Sequence, residues 1–398
     1  MRVAVVAPSR QLLGGAEHYV HVLLPALLAA GHDVCLVYEL DDPHVAERLD
    51  ADIPDLTTHH ANPDDPGGAR AWLAAWAPDV VYCQGFYAPE LEARVLAAFP
   101  CVLFAHGYYG TCATGEKRMQ RPALTVCDRR FGPSCLVLNA VRGCGLRSPG
   151  RVLASYRLQA RRLAALPSYR SVLVSSRRLR TEYLRHGLPD DRVTLLPLPC
   201  TGTPALESPP VAQDSSGRVL FVGRLTALKG CDYLIEALPM AARALGRALT
   251  LTVAGDGPEA PRLKTLAARR GVPAEFLGWI GRDAVSALYP RADLLAVPSV
   301  WPEPFGLVGV EAAGSGLPSV GYAVGGIPDW LRAGVTGELA PGDPPTPAGL
   351  AEAIARALAD SRHHAALRAG AWAAAREYGL ARHTERLAER LAAAARGG

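Results

Sequence analysis

The chain has 398 residues, 49% of them hydrophobic, and 42 Lys and Arg against 38 Asp and Glu give it a formal net charge of +4. This length and apolar content exclude a disordered chain and supply core for two domains, and so small a charge gives no sign of a nucleic-acid partner. No apolar run approaches the roughly 20 residues that span a bilayer, and the start M-R-V-A-V-V-A-P reads as a strand rather than a signal peptide, so the expected location is cytoplasmic.

Arg2–Ala7 is a continuous apolar run, and after the pair Gly14-Gly15 a helical stretch follows over Ala16–Ala30, stopped by Gly31. Short apolar runs recur at Val34–Tyr38, Val80–Cys83, Val102–Ala105, Val172–Ser175 and Val193–Leu196, separated by helix-like segments such as Pro89–Ala98 and Arg177–His186. Such alternation predicts an α/β domain with a parallel sheet between helices over residues 1–200. No G-x-G-x-x-G follows the opening strand, so the dinucleotide fingerprint is absent.

Thr201–Gly217 has the Pro, Ser and Gly content of a linker. A second domain over 218–375 then repeats the plan of the first, with strands at Arg218–Val222, Leu249–Ala254, Glu275–Leu277, Asp293–Val297 and Ser319–Tyr322 and a helix over Gly230–Leu245. Two doubly wound, Rossmann-like domains facing across a cleft are therefore expected, with ligands at the carboxyl ends of the strands. The tail Pro347–Arg396 is rich in Ala, Leu and Arg and reads as helical, its last piece, 376–398, returning to the first domain.

The stretch Trp301–Gly321 carries two carboxylates, Glu303 and Glu311, around Phe305-Gly306-Leu307, which opens a helix running to about Gly314. A helix start offers unpaired amides and a partial positive charge, and Gly306 lets a phosphate approach them. Carboxylates accept hydrogen bonds from sugar hydroxyls. The alternative is a solvated glutamate and a plain helix-capping loop. Arg224 and Lys229, after the first strand of the second domain, would stabilise a departing pyrophosphate without a metal, or are two exposed surface cations.

These residues resemble the retaining family 4 glycosyltransferases of the GT-B fold. The resemblance rests on G-R-L-x-x-x-K-G at 223–230, G-D-G-P at 255–258, F-L-G-W-I at 276–280, E-P-F-G-L-x-x-x-E at 303–311, Gly325-Gly326 and G-G-A-E at 14–17. It implies a nucleotide-diphosphate-sugar donor held mainly by the second domain, with no metal or other cofactor. Position by position, Arg224 and Lys229 would bind the diphosphate, Glu303 a sugar hydroxyl and Glu311 the ribose. The amides of Phe305, Gly306 and Leu307 would lie against the sugar and phosphates. Gly14, Gly15, Gly223 and Asp256 belong to the same donor site, and the backbone of Ile280 would read the base. His106 matches the family's histidine near the donor sugar, although relatives often show His-Asp where this chain has His106-Gly107. Leu198-Pro199-Cys200-Thr201-Gly202 stands where relatives carry an Asn-Gly turn.

The implied reaction is front-face substitution with retention, helped by Arg224, Lys229, Glu303 and His106. The rivals are a non-catalytic nucleotide-sugar-binding protein and an epimerase or phosphorylase on the same fold.

The segment 107–165 is the least family-like. It holds Cys112, Cys127, Cys135 and Cys144 with no C-x-x-C pair, which leaves unpaired thiols, disulfides or a metal site as readings. Residues 107–187 carry sixteen Lys or Arg, Arg147 among them, against three acids. That basic wall points to an anionic acceptor, to peripheral contact with an anionic membrane face, or to a merely solvated surface. Tyr108 and Tyr109 either stack on an acceptor or pack the loop.

Overall fold

In a computed structural model of the chain, residues 1–12, 14–62, 64–146, 148–200 and 216–397 are described. Arg147, and the expected linker apart from its last two residues, lie outside them. The chain forms two compact units. The first comprises Met1–Lys117, Asp128–Thr201 and Leu380–Gly398, and the second Arg118–Cys127 and Gly202–Gly379.

The first unit is built on β1 (Arg2–Ser9), β2 (Asp33–Leu40), β3 (Thr57–His60), β4 (Val80–Cys83) and β5 (Cys101–Ala105). After the small antiparallel pair β6 (Arg118–Met119) and β7 (Thr125–Val126), which belongs to the second unit, come β8 (Ser171–Val174) and β9 (Val193–Leu195). Seven strands pair in the order β3-β2-β1-β4-β5-β8-β9, all parallel. Helices cover such a sheet, so its central strands bury both faces. Val3, Ala4, Val5 and Val6 of β1 are wholly buried, as their unbroken apolar run requires.

The helix Gly15–Ala29 presses Tyr19, Leu23 and Leu27 inward at four-residue spacing. The last helix, Leu380–Ala395, does the same with His383, Leu387 and Leu391, and packs on the helix Gly15–Ala29, β4 and β5. Each buried leucine contributes about 1.5–3 kcal/mol of transfer free energy, so this terminal helix is part of the first unit's core.

Two features differ from the sequence reading, and a third chooses among the alternatives it left open. The strand β3 reads T-T-H-H, and because it is an edge strand it lacks the apolar run by which central strands are recognised. The segment 107–165 forms the helices Ser134–Arg142 and Pro149–Ala165, with residues 118–127 joining the second unit. All nine cysteines are free thiols.

The second unit has β10 (Arg218–Val222), β11 (Thr250–Ala254), β12 (Ala274–Gly278), β13 (Leu294–Val297), β14 (Ser319–Tyr322) and β15 (Gly337–Ala340) in the order β12-β11-β10-β13-β14-β15. The winding reverses between β10 and β13, as it does between β1 and β4 in the first unit. At such a switch point neighbouring loops diverge and leave a crevice at the strands' carboxyl ends. Among the described residues no helix is long and apolar enough to cross a membrane.

Candidate functional site

The loops leaving β10 and β13 meet at the second unit's switch point. The first carries Arg224 and Lys229, the second Glu303. Val300 donates its amide to the Leu228 carbonyl at 2.9 Å, which ties the two loops together. Leu225 donates to the Asp256 carbonyl at 2.9 Å and so ties the first loop to the turn after β11. Only glycine fits at 255, where a Cβ would lie 2.0 Å from the Gly223 carbonyl oxygen. The motifs G-R-L and G-D-G are thus two halves of one packed backbone. Asp256 is exposed, and its carboxylate accepts from the Gly257 amide at 2.7 Å.

Glu303 is 7% exposed and fully engaged. Lys229 Nζ donates to its Oε1 at 3.0 Å and its Oε2 at 2.9 Å. Ser299 Oγ and Trp301 Nε1 donate to Oε2 at 2.8 Å and 3.0 Å. The backbone is held too, since the Gly326 amide donates to the Glu303 carbonyl at 2.7 Å. At Gly325, with φ +59°, a Cβ would stand 2.2 Å from that carbonyl oxygen and 2.4 Å from the Glu303 nitrogen. This is why the Gly-Gly pair is needed so far along the chain. Arg224, by contrast, is exposed and makes no ion pair among the described residues.

Gly306 is the N-cap of the helix Leu307–Gly314. Trp330 lies beneath this helix start and donates its indole N–H to the Phe305 carbonyl at 2.6 Å. The amides of Phe305, Gly306 and Leu307 donate to no acceptor among the described residues, which leaves a row of N–H groups beside a cationic loop. Glu311, farther along the helix, accepts from Arg282 at 2.5 Å. Arg282 opens the helix that follows Ile280, so this ion pair draws the loop after β12 toward the glutamate.

The structure therefore brings Lys229 and Glu303 into direct contact and places Gly223, Arg224, Asp256 and the 305–307 amides in loops at the same sheet end. Ser299, Trp301 and Arg282 escaped the sequence reading. Ser299 and Trp301 lie within four residues of Glu303, a local signal, but nothing in the sequence shows that Arg282 reaches Glu311.

In the first unit, His106 stands at the end of β5. Its Nε2 lies 2.8 Å from Gln84 Oε1, and its ring packs on Phe104 and Tyr19 at centroid distances of 4.7 Å and 5.5 Å. Desolvation lowers its pKa to about 3, so the imidazole is neutral at neutral pH. Gly14 and Gly15 are exposed at the start of the helix Gly15–Ala29, with Gly14 as its N-cap and open space where a Gly15 Cβ would point.

Of the two readings of the tyrosines, stacking on an acceptor finds no support. Tyr108 is 4% exposed. Tyr109 donates to Glu92 at 3.0 Å and has Arg162 over its ring at 4.4 Å, so both pack the loop. The basic wall is also thinner than its composition suggests. Lys117 is buried in an ion pair with Glu182, Arg178 and Arg185 pair with Asp128, and Arg161 pairs with Glu90. Among the described residues no group of three or more His, Cys, Asp or Glu is placed to hold a metal ion.

Two doubly wound units, each with a parallel sheet, define a GT-B fold, and solved structures of that class match along the whole chain. The Anabaena HepE protein in complex with UDP and glucose superposes with a TM-score of 0.68 at 19% identity, over 99% of this chain and 100% of that one. Residues 13–200 match the family model described as Glycosyltransferase Family 4, and residues 206–372 match the one described as Glycosyl transferases group 1. The chain belongs to the family 4 glycosyltransferases. It is 40% identical over 170 residues to the D-inositol 3-phosphate glycosyltransferase of Salinispora tropica, covering 40% of this chain and 35% of that one. It is 28% identical over 376 residues to the glycogen synthase of Mycobacterium tuberculosis, covering 88% and 83%. The chain spans about a third to a half of the length of several other curated relatives it matches.

Proposed function

We propose that the protein transfers a sugar from a nucleotide-diphosphate sugar to an acceptor hydroxyl with retention of anomeric configuration. The observation that carries this reading is the meeting of Lys229, Glu303 and the bare amides of Phe305, Gly306 and Leu307 at the second unit's switch point. A diphosphate placed on those amides would lie beside the Lys229 ammonium and the exposed Arg224 guanidinium, both suited to the charge that develops on a leaving phosphate. Glu303 is held rigidly enough to position a sugar hydroxyl, and Glu311 lies a turn into the helix, on the side of the Ile280 loop, where a ribose would be met.

In the reaction the bond from the anomeric carbon to the phosphate oxygen breaks, and a bond from that carbon to the acceptor oxygen forms on the same face. The acceptor proton passes to the departing phosphate oxygen, giving glycoside and nucleoside diphosphate. Neither step requires a metal, because Arg224 and Lys229 supply the positive charge. Binding of UDP and glucose by HepE makes uridine donors the first to try. The phosphate of D-inositol 3-phosphate, named for the Salinispora relative, makes an anionic acceptor a reasonable first choice beside the exposed arginines of the first unit.

The test is a thermal-shift screen against nucleotide-diphosphate sugars, followed by product analysis with candidate acceptors. A ligand that binds only the folded state raises the melting temperature by mass action. Stabilisation by a donor together with acceptor-dependent release of nucleoside diphosphate supports the reading. Binding without turnover identifies a sugar-nucleotide sensor, and turnover without acceptor identifies an epimerase.

A further inference from the structure

The helices Ser134–Arg142 and Pro149–Ala165 pack on each other and are fastened to the first unit by polar contacts of the second helix. Ser155 Oγ donates to the Ala113 carbonyl at 2.6 Å, Gln159 Oε1 accepts from the Gly110 amide at 2.7 Å, and Arg162 donates to the Phe86 carbonyl at 2.6 Å. Phe131, ahead of the first helix, packs on Tyr156 of the second at a centroid distance of 4.9 Å. Asn139, buried under the first helix, donates its amide to the Leu146 carbonyl at 2.6 Å. These contacts hold the helix pair in one orientation and decide which faces are left in water.

The outward face of the first helix consists of Ser134, Val137, Ala140 and Val141, all exposed and brought to one side by the three- and four-residue spacing. Val137 is 66% exposed and Val141 60%, so most of both side chains is in water. A surface helix ordinarily turns charged residues outward. This face presents none. On the second helix Leu153 and Arg157, one turn apart, are both exposed.

The charge around this apolar face has one sign. Residues 129–165 contain eight arginines and no Asp or Glu. Arg129, Arg130, Arg151 and Arg157 are exposed and make no ion pair among the described residues. The neighbouring acids are engaged elsewhere. Asp128 pairs with Arg178 and Arg185, Glu90 pairs with Arg161, and Glu116 is half-buried against Gly145.

We propose that this helix pair is the surface by which the protein docks on a membrane whose lipids carry anionic headgroups. The valines enter the boundary between headgroups and acyl chains, while the arginine stems lie along that boundary and their guanidinium groups meet the lipid phosphates. A protein partner matches this surface less well, because the outward face of the first helix offers only small aliphatic side chains and no aromatic anchor of the kind that centres protein interfaces. Docking of this kind needs no helix that crosses the bilayer, and it does not depend on the chemistry proposed above.

The experiment is sedimentation of the full chain with vesicles of phosphatidylcholine alone and of phosphatidylcholine mixed with phosphatidylserine. Binding should require phosphatidylserine and should weaken as salt is raised, since the arginines are exposed to screening. Val137→Ser together with Val141→Ser should lower the partition coefficient about tenfold. Arg151→Gln and Arg157→Gln should each lower it about fivefold. All four positions are exposed, so the thermal melt of each variant should match that of the unmodified protein.

Failure to bind the phosphatidylserine vesicles at low salt overturns the proposal, and so does equal binding to both kinds of vesicle. It is also overturned if the valine variant, or the arginine variants together, sediment with the vesicles as the unmodified protein does. A dimer in sedimentation velocity that the valine substitutions dissolve, with no vesicle binding, identifies a second copy of the chain as the occupant instead.

Discussion

Lys229 and Glu303, 74 positions apart in the chain, are joined by two hydrogen bonds of 2.9 Å and 3.0 Å at the switch point of the second sheet. In the proposed reaction the pair couples two roles, because the cation suited to a departing phosphate also holds the carboxylate suited to a sugar hydroxyl. Lys229→Ala should therefore lower turnover by about 10²-fold or more, in the range seen when one preorganised electrostatic contact is removed, while weakening donor binding far less. Steady-state kinetics beside calorimetry of nucleoside diphosphate binding separates the two effects. Unchanged turnover would remove Lys229 from the chemistry.

Glu303→Gln keeps the shape of the side chain but presents an NH2 where Lys229, Ser299 and Trp301 all donate. Two of those donors then lose their acceptor, and the side chain must turn. Sugar transfer should fall at least tenfold, with nucleotide affinity nearly unchanged. The measurement is turnover at saturating donor beside the dissociation constant of the free nucleoside diphosphate, and equal losses in both would contradict the assignment.

In the proposed site Glu311 serves the nucleotide rather than the sugar. Glu311→Gln should weaken nucleoside diphosphate binding by about tenfold, or about 1.4 kcal/mol, since a hydrogen bond to a charged acceptor is replaced by a neutral one. Arg282→Ala releases the carboxylate from its ion pair and changes the same affinity rather than the turnover at saturating donor. A nucleotide affinity indifferent to Glu311→Gln would undo the division between the two glutamates.

The buried pair Lys117 and Glu182 is a structural element of the first unit, with side chains 2% and 0% exposed. Lys117 also donates to the Arg129 carbonyl at 2.6 Å, which fastens the loop ahead of the helix Ser134–Arg142. Removing one partner strands the other's charge away from water. Lys117→Met should cost about 3–5 kcal/mol in urea denaturation, and a loss below about 1 kcal/mol would show that the charge of Glu182 is compensated by Arg185 instead.

His106 and His383 give the stability of the first unit a pH dependence. Desolvation depresses both folded pKa values, to about 3 and about 4. The unfolded value is about 6.5. A group with a depressed folded pKa contributes stability that is present above the unfolded value and is lost as pH falls through the window down to the folded one. Glu39 acts oppositely, since burial raises its pKa to about 7 and its carboxylate becomes easier to accommodate as pH falls. The decisive quantity is therefore a difference. Between pH 6.5 and 4 the urea midpoint of His383→Gln should fall less steeply than that of the unmodified protein, and parallel curves would show that His383 is not held neutral.

Much of this was legible before any coordinates. Parallel strands buried on both faces must be unbroken apolar runs, so β1, β4, β5, β10, β13 and β14 announced themselves, and the glycine-bearing loops between them marked the ligand ends of both sheets. The edge strands β3 and β15 did not, because one open edge relaxes the demand for apolar residues and leaves T-T-H-H and G-E-L-A indistinguishable from loop. The helix start at Gly306 was legible for the same local reason, as glycine before an apolar helix is a capping signal.

What the sequence by itself determined was the alternating α/β plan, the paired domains and the identity of the residues at the strand ends, because each follows from patterns spanning a few residues. The tertiary structure alone decided partnership: that Lys229 grips Glu303, that Gly325 must lack a side chain to lie on the Glu303 backbone, that Arg282 holds Glu311, that Tyr108 and Tyr109 pack inward, and that His383 of the last helix meets the Tyr19 hydroxyl. Hydrogen bonds and close backbone contacts depend on distances of about 3 Å between residues tens to hundreds of positions apart, and only the packed fold sets those distances.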